Sequence, residues 1–149
     1  MLRVAPTLDI PLARTLFQEY ANSLGIELSF QSFDRELAEL PGDYDPILIA
    51  SVDDAVAGCA ALRRIETDIG EMKRLYVRPS FRGHGVGRAL AQRVIAEAKA
   101  RRYHALRLDT LPSMHEAIPL YESLGFVDIA PYRFNPVEGS RFLELAISE

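Results

Sequence analysis

Arg82-Gly83-His84-Gly85-Val86-Gly87 is the stretch on which the reading of this chain turns. It separates an apolar run, Glu71 to Val77, from a segment in which Val86, Ala89, Leu90, Val94 and Ala98 recur at helical spacing to about Arg102. A glycine-rich turn that opens a helix leaves main-chain amides unpaired at the positive end of the helix dipole, and both features favour an anion. Glycines let a phosphate approach the backbone, and Arg82 adds a planar guanidinium suited to phosphate oxygens. The dipole alone supplies ~0.3–1 kcal/mol per charge at an exposed site, so directed amide bonds must carry most of the binding. A diphosphate is the expected ligand.

Working outward, a short strand at Leu2 to Ala5 precedes an amphipathic helix marked by Ala13, Leu16, Phe17, Tyr20 and Leu24 and stopped at Gly25. A shorter helix is expected from Phe30 to Leu40, ending at Pro41-Gly42. Ile47 to Val52 and Val56 to Arg64 flank Asp53-Asp54 as a hairpin, and Glu71 to Val77 supplies a third antiparallel strand. Beyond the long helix, Ala105 to Leu111 alternates Leu106 and Leu108 with Arg107 and Asp109. Ser113-Met114-His115-Glu116 has the pattern of a capping box, so a helix is expected from there to about Gly125, with Pro119 bending its axis. Strands at about Phe126 to Ile129 and Phe142 to Ile147 close the chain. This order fits neither a barrel nor a doubly wound series and predicts a mixed sheet with helices on both faces.

Three diphosphate ligands compete for the loop. A nucleoside triphosphate is excluded because Gly87 is followed by Arg88 and Ala89 rather than Lys-Ser/Thr. A dinucleotide gains some support from Asp109 at the end of the next strand. However, the last glycine follows Gly85 by two residues instead of three, and too little chain follows Asp109 for the remaining parallel strands. Coenzyme A is the third. The segments Glu71-Met72-Lys73-Arg74-Leu75-Tyr76-Val77-Arg78-Pro79, the Arg-x-x-Gly-x-Gly of Arg82, Gly85 and Gly87, and Leu120-Tyr121-Glu122-Ser123-Leu124-Gly125-Phe126 together resemble the GNAT superfamily of acyl-CoA-dependent N-acetyltransferases. The resemblance is strong from Glu71 to Phe126, about half the chain, and looser before it.

That resemblance implies an α/β (α+β) fold with a mostly antiparallel sheet of about seven strands, splayed between the fourth and fifth, and four helices on its two faces. It implies acetyl-CoA as cosubstrate, with the diphosphate on the backbone of Arg82, Gly83, His84, Gly85, Val86, Gly87 and Arg88. The pantetheine arm would lie along the main chain of Leu75, Tyr76 and Val77. A primary amine would attack the thioester directly. Glu71 matches a position where a glutamate acts as general base, and Tyr121 one where a tyrosine protonates the leaving thiolate; a main-chain amide near Leu75 would hold the oxyanion. Two features depart from the family pattern: Met114 stands where many members have an asparagine that bonds the coenzyme, and Pro119 lies two residues before Tyr121.

Several residues keep two readings. Glu71 is either the base or a solvated strand residue, and Tyr121 either the acid or a packing residue. Asp109 either faces the cleft or faces solvent, and the loop Pro131 to Pro136 either covers the acceptor site or only joins two strands. His84 reads as an exposed loop residue, His104 as a strand-edge residue and His115 as an exposed first-turn residue, none with metal-like spacing, so no metal is expected. A non-catalytic acyl-CoA-binding module would retain the same loop.

Composition bounds the rest. A length of 149 residues with 48% hydrophobic and 26% charged residues fits a single folded domain over residues 1–149. A net charge of -4 argues against a nucleic-acid partner, which calls for a basic face. No run is long enough to span a bilayer, Met1 to Pro6 lacks a signal-like apolar stretch, and Cys59 is the sole cysteine, so a cytoplasmic protein without membrane attachment or disulfides is expected. The acceptor is expected to be a small-molecule or peptide amine, and the protein a monomer or homodimer.

Overall fold

The computed structural model describes residues 1–24, 33–114 and 117–147. In chain order these form β1 (Leu2–Pro6), α1 (Ile10–Leu24), α2 (Phe33–Glu39), β2 (Tyr44–Val52), β3 (Ala55–Glu66) and β4 (Ile69–Val77). There follow α3 (Val86–Ala100), β5 (Ala105–Thr110), α4 (Ala117–Ser123), β6 (Val127–Ile129) and β7 (Arg141–Ala146). The seven strands make one sheet in the order β1-β2-β3-β4-β5-β7-β6. Every neighbouring pair is antiparallel except β4 and β5, which run parallel.

The parallel ladder is short: Ile69, Gly70 and Glu71 pair with Ala105, Leu106 and Arg107 and no further. Past that point β4 runs on to Val77 and β5 to Thr110 without pairing. The sheet therefore opens into a fork between its fourth and fifth strands, as the family resemblance implied.

Helices cover both faces because the strands alternate. On one face Ile47, Cys59, Ala61 and Tyr76 pack against Ala13, Leu16 and Phe17 of α1 and Phe33 of α2. On the other, Leu48, Ala60, Leu62, Met72, Leu106 and Leu108 pack against Leu90 and Val94 of α3 and Tyr121 of α4. Each large apolar side chain so enclosed contributes about 1.5–3 kcal/mol.

One residue breaks the alternation. Cys59 pairs with Tyr76 but Ala61 pairs with Lys73, so β4 holds one extra residue there, and Arg74 lies within the bulge at φ 59°. The bulge switches the faces: Met72 points to the α3 side, yet so do Leu75 and Val77, while Tyr76 points to the α1 side. Positive φ is uncommon for a side chain as large as arginine. Here Arg74 is held by Glu36 of α2, which accepts from Nε at 2.9 Å and Nη2 at 2.7 Å, and its guanidinium lies over the rings of Tyr20 and Phe33. The Arg74 carbonyl accepts from the buried Cys59 thiol at 3.3 Å.

Several boundaries differ from the sequence reading. The expected second-helix start at Phe30, the stop at Gly25, and His115 and Glu116 of the capping box lie outside the described residues. Strand β2 begins at Tyr44, ahead of Pro46, because the register breaks between Tyr44 and Ile47, where a missing N–H costs no ladder bond. Pro119 falls inside α4, as the sequence reading expected. Gly125, at φ 102°, ends the helix, with the Phe126 amide donating to the Tyr121 carbonyl.

The clamp on the bulge makes a stability prediction. Glu36→Ala removes the bidentate partner of a buried guanidinium and is expected to lower unfolding free energy by about 3 kcal/mol in urea titrations. Glu39→Ala, which removes an ion pair with the exposed Arg35, should leave the midpoint unchanged.

Candidate functional site

The glycine loop sits where β4 ends and α3 begins. A single turn of 3-10 helix, Pro79–Phe81, leads to Arg82, whose Nε donates to the Val77 carbonyl at 3.1 Å and so folds its guanidinium back onto the end of the strand. Gly83 and Gly85 adopt φ 83° and 80°, a region that admits glycine without strain, and Gly85 is the N-cap of α3 with no side-chain cap bond. A Cβ at either glycine would meet no atom within 4 Å, so the backbone there faces open space. The first-turn amides of a 15-residue helix thus open onto unobstructed surface, the arrangement that suits a phosphate. His84 is exposed, as its sequence position suggested, and Val86 is buried against the core. Arg88 donates to the Ser123 hydroxyl at 2.8 Å, fastening α3 to α4.

Next to the loop, the fork between β4 and β5 encloses a cleft lined by Tyr20, Lys73, Leu75, Asp109, Met114 and Tyr121, among others. Tyr121 is buried, its ring 5.9 Å from that of Phe126, and burial pushes its phenol above the ordinary tyrosine value, as does the negative charge of Asp109. The phenol therefore keeps its proton at neutral pH, as a proton donor must. Met114, standing where the sequence comparison wanted an asparagine, presents Sδ 3.8 Å from the Tyr20 hydroxyl.

At the base of the fork lies a charged network. Glu71 is fully buried, which rules out the reading of a solvated strand glutamate. Its Oε1 accepts from Arg63 at 2.9 Å, its Oε2 accepts from the Tyr132 hydroxyl at 2.6 Å, and Arg133 ion-pairs with it. Burial works against its charge, but Lys73, Arg133 and Arg63 outweigh burial and hold its pKa below the ordinary value. Asp109 is equally enclosed, with 5% of its side chain exposed, so it faces the cleft and not solvent. Its Oδ1 lies 3.5 Å from Lys73 Nζ and its Oδ2 accepts from Asn135 at 3.3 Å. Burial brings the Lys73 ammonium down from 10.5 to about 8, with Asp109 the main opposing influence.

The loop 131–140 does more than join two strands, since Tyr132, Arg133 and Asn135 all reach the fork's carboxylates and Tyr132 also packs edge-on against Phe142 at 5.2 Å. The sequence reading raised that loop and Asp109 as options, but missed the Lys73–Asp109 pair and the Arg74–Glu36 clamp. Their contacts run between distant segments, so no local spacing reveals them. Among the described residues no group of three or more His, Cys, Asp or Glu is arranged to hold a metal ion, and no helix is long and apolar enough to cross a membrane.

Residues 13–126 match the Acetyltransferase (GNAT) family. The sequence is 35% identical over 147 aligned positions to an uncharacterized N-acetyltransferase of Schizosaccharomyces pombe, covering 95% of this chain and 90% of that protein. Among solved structures, ribosomal-protein-S18-alanine N-acetyltransferase of Escherichia coli superposes with a TM-score of 0.75 at 25% identity, covering 100% of this chain and 96% of that one. The Salmonella typhimurium protein yncA, solved with acetyl-CoA, gives a TM-score of 0.71 at 21% identity over 99% of this chain and 95% of that one, a likeness of fold.

The Glu71 network yields a pH prediction. A carboxylate with a depressed folded pKa contributes stability that is complete above its ordinary value of 4.5 and is lost as pH falls through the folded value. Glu71→Gln should therefore be clearly less stable than the parent at about pH 7, and the gap should close progressively as pH drops below about 4 in chemical denaturation.

Proposed function

Because this chain belongs to the GNAT acetyltransferase family, we propose that it transfers an acetyl group from acetyl-CoA to a primary amine by direct attack of the amine on the thioester. The observation that carries this reading is the juxtaposition of the open first turn of α3 with a fork that holds a buried tyrosine. The amides of Val86, Gly87 and Arg88 bind the diphosphate, with Gly83 and Gly85 leaving room and Arg82 and His84 beside it. The pantetheine arm runs along the main chain of Leu75, Tyr76 and Val77, where the bulge at Arg74 has taken β4 out of step with β3. The bulge and the unpaired stretch of β4 support that path, since an unpaired edge leaves ladder groups for a ligand.

Transfer then needs three things from the protein. The amine must lose a proton, because an ordinary alkylamine is almost fully protonated at neutral pH. The oxyanion formed on attack needs a donor, which a main-chain amide near Leu75 supplies without any side chain. The expelled thiolate needs a proton, and Tyr121 supplies it from a site dry enough to keep the phenol neutral. The acceptor is a small-molecule or peptide amine. The yncA structure with acetyl-CoA supports the choice of donor, and the name of the Escherichia coli neighbour supports an α-amine among the acceptors to be tried.

The test is a panel of amines with acetyl-CoA, following free thiol. Thiol release that depends on one amine class is expected; heat of acetyl-CoA binding without release for any amine would instead mark a coenzyme-binding module. With the best amine, Tyr121→Phe should lower kcat by about 10²-fold while acetyl-CoA affinity in calorimetry stays within about twofold.

A further inference from the structure

The chain meets its need for positive charge almost wholly with arginine: of 17 Lys and Arg residues, only Lys73 and Lys99 are lysines. Lys99 is exposed in the last turn of α3. Lys73 is the opposite case, with 6% of its side chain exposed and its ammonium 3.5 Å from Asp109 at the divergence of β4 and β5. The other cations around the fork, Arg63, Arg74, Arg107 and Arg133, are guanidinium groups, and the surroundings of Arg74, Arg107 and Arg133 favour their charged forms still further. A buried lysine, unlike an arginine, can release its proton near neutrality. Its amine lines the same cleft as Tyr121, so it stands beside the place where an acceptor must meet the thioester.

Glu71 is poorly arranged to do that work. Arg63 occupies one of its oxygens, and Tyr132 and Arg133 the other, so a proton arriving there would displace two ion pairs. These same contacts tie the loop 131–140 down over the fork.

We propose that Lys73, steadied by Asp109, takes the proton from the acceptor ammonium before attack, and that Glu71 is a positioning residue acting through Tyr132 and Arg133. The inference rests on the acetyl transfer proposed above. The neutral Lys73 amine accepts one proton from the acceptor ammonium and later passes it to solvent. The freed amine nitrogen forms its bond to the thioester carbon, and the carbon–sulfur bond breaks. The thiolate takes the Tyr121 proton, and the phenolate recovers one from the nitrogen of the new amide. One ammonium and one thioester thus give one amide, one thiol and one proton released.

The groups facing Lys73 set the pH at which this is possible. Arg74 beside it on β4 and Arg133 from the loop disfavour its charge, as does burial; Asp109 on β5 and Glu71 on β4 favour it. Among the described residues, Tyr20 from α1 and Tyr121 from α4 also line the cleft, as neutral phenols. The resulting value of about 8 matches an α-amino group, whose ordinary value is about 7.7–8.0, so the proton passes between partners of similar basicity.

With two lysines, a pH titration of the intact protein carrying [13Cε]lysine gives two resolvable signals and needs no turnover. One signal, absent from Lys73→Arg, should titrate near 8 and move lower in Asp109→Asn; a Lys73 signal that stays protonated beyond about pH 10 would overturn the proposal. The second arm compares two small probe amines with acetyl-CoA at about pH 7, methylamine as an ammonium and hydroxylamine as a neutral amine. Lys73→Arg should lose about 10²-fold in kcat/KM on methylamine but only about threefold on hydroxylamine. Equal losses on both would mean that Lys73 serves packing alone and would sink the idea. Glu71→Gln should raise KM for methylamine and leave the pH limb of kcat/KM in place; loss of that limb would return the base role to Glu71. Absence of thiol release from the parent protein with every amine would overturn the transfer reading, whereas the lysine titration judges Lys73 separately.

Discussion

The site depends on a parallel ladder that stops after three residue pairs. Strands β4 and β5 are joined only at Ile69 to Glu71 and Ala105 to Arg107, and beyond them the sheet has no continuous floor. Two strands whose backbone groups face each other unpaired across an apolar gap would be costly, since each buried amide or carbonyl demands a partner. The fork is therefore stable only where polar groups, solvent or a ligand can enter it. A coenzyme arm laid along β4 would satisfy such groups in the manner of an added strand.

The carboxylates at the fork are met by side chains from elsewhere in the chain. Arg63 from β3, Arg133 and Tyr132 from the loop before β7, and Asn135 from the same loop converge on Glu71 and Asp109. Buried ion pairs of this kind are weak evidence for stability, because desolvation offsets much of the attraction. Their effect is better read as fixing geometry: each carboxylate is met from two or more directions, so the loop cannot shift without leaving a charge unpaired. Arg107, farther out, is matched by Glu144 and the exposed Glu66, where water screens the interaction.

The sequence made the architecture legible because the signals concerned were local. The glycine loop, the period of α3 and the alternation of β5 each lie within one element, and the structure has them in place. The splay was implied by resemblance alone, since no spacing within β4 or β5 says where pairing ends. Glu71 shows the limit most clearly. On a strand it reads as solvated or catalytic, and only the arrival of Arg63, Tyr132 and Arg133 decides that it is buried and charged. Lys73 and Asp109 lie 3.5 Å apart across strands separated by a whole helix, a contact that no pattern in one sequence encodes.

The bulge at Arg74 explains how one strand serves two faces. Without it, period-two alternation would put Lys73, Leu75 and Val77 on the same side of the sheet. With one extra residue, Lys73 stays on the α1 side with Asp109 and Glu71, while Leu75 and Val77 turn toward α3 and the glycine loop. The strand thereby presents main chain to the proposed coenzyme from one side and a titratable amine to the proposed acceptor from the other, with the fork as the passage between them. A positive φ at an arginine is the cost of this switch, and the Glu36 clamp with the rings of Tyr20 and Phe33 offsets it. Helix α2, remote from the glycine loop in sequence, thus reaches the proposed site through a single backbone conformation.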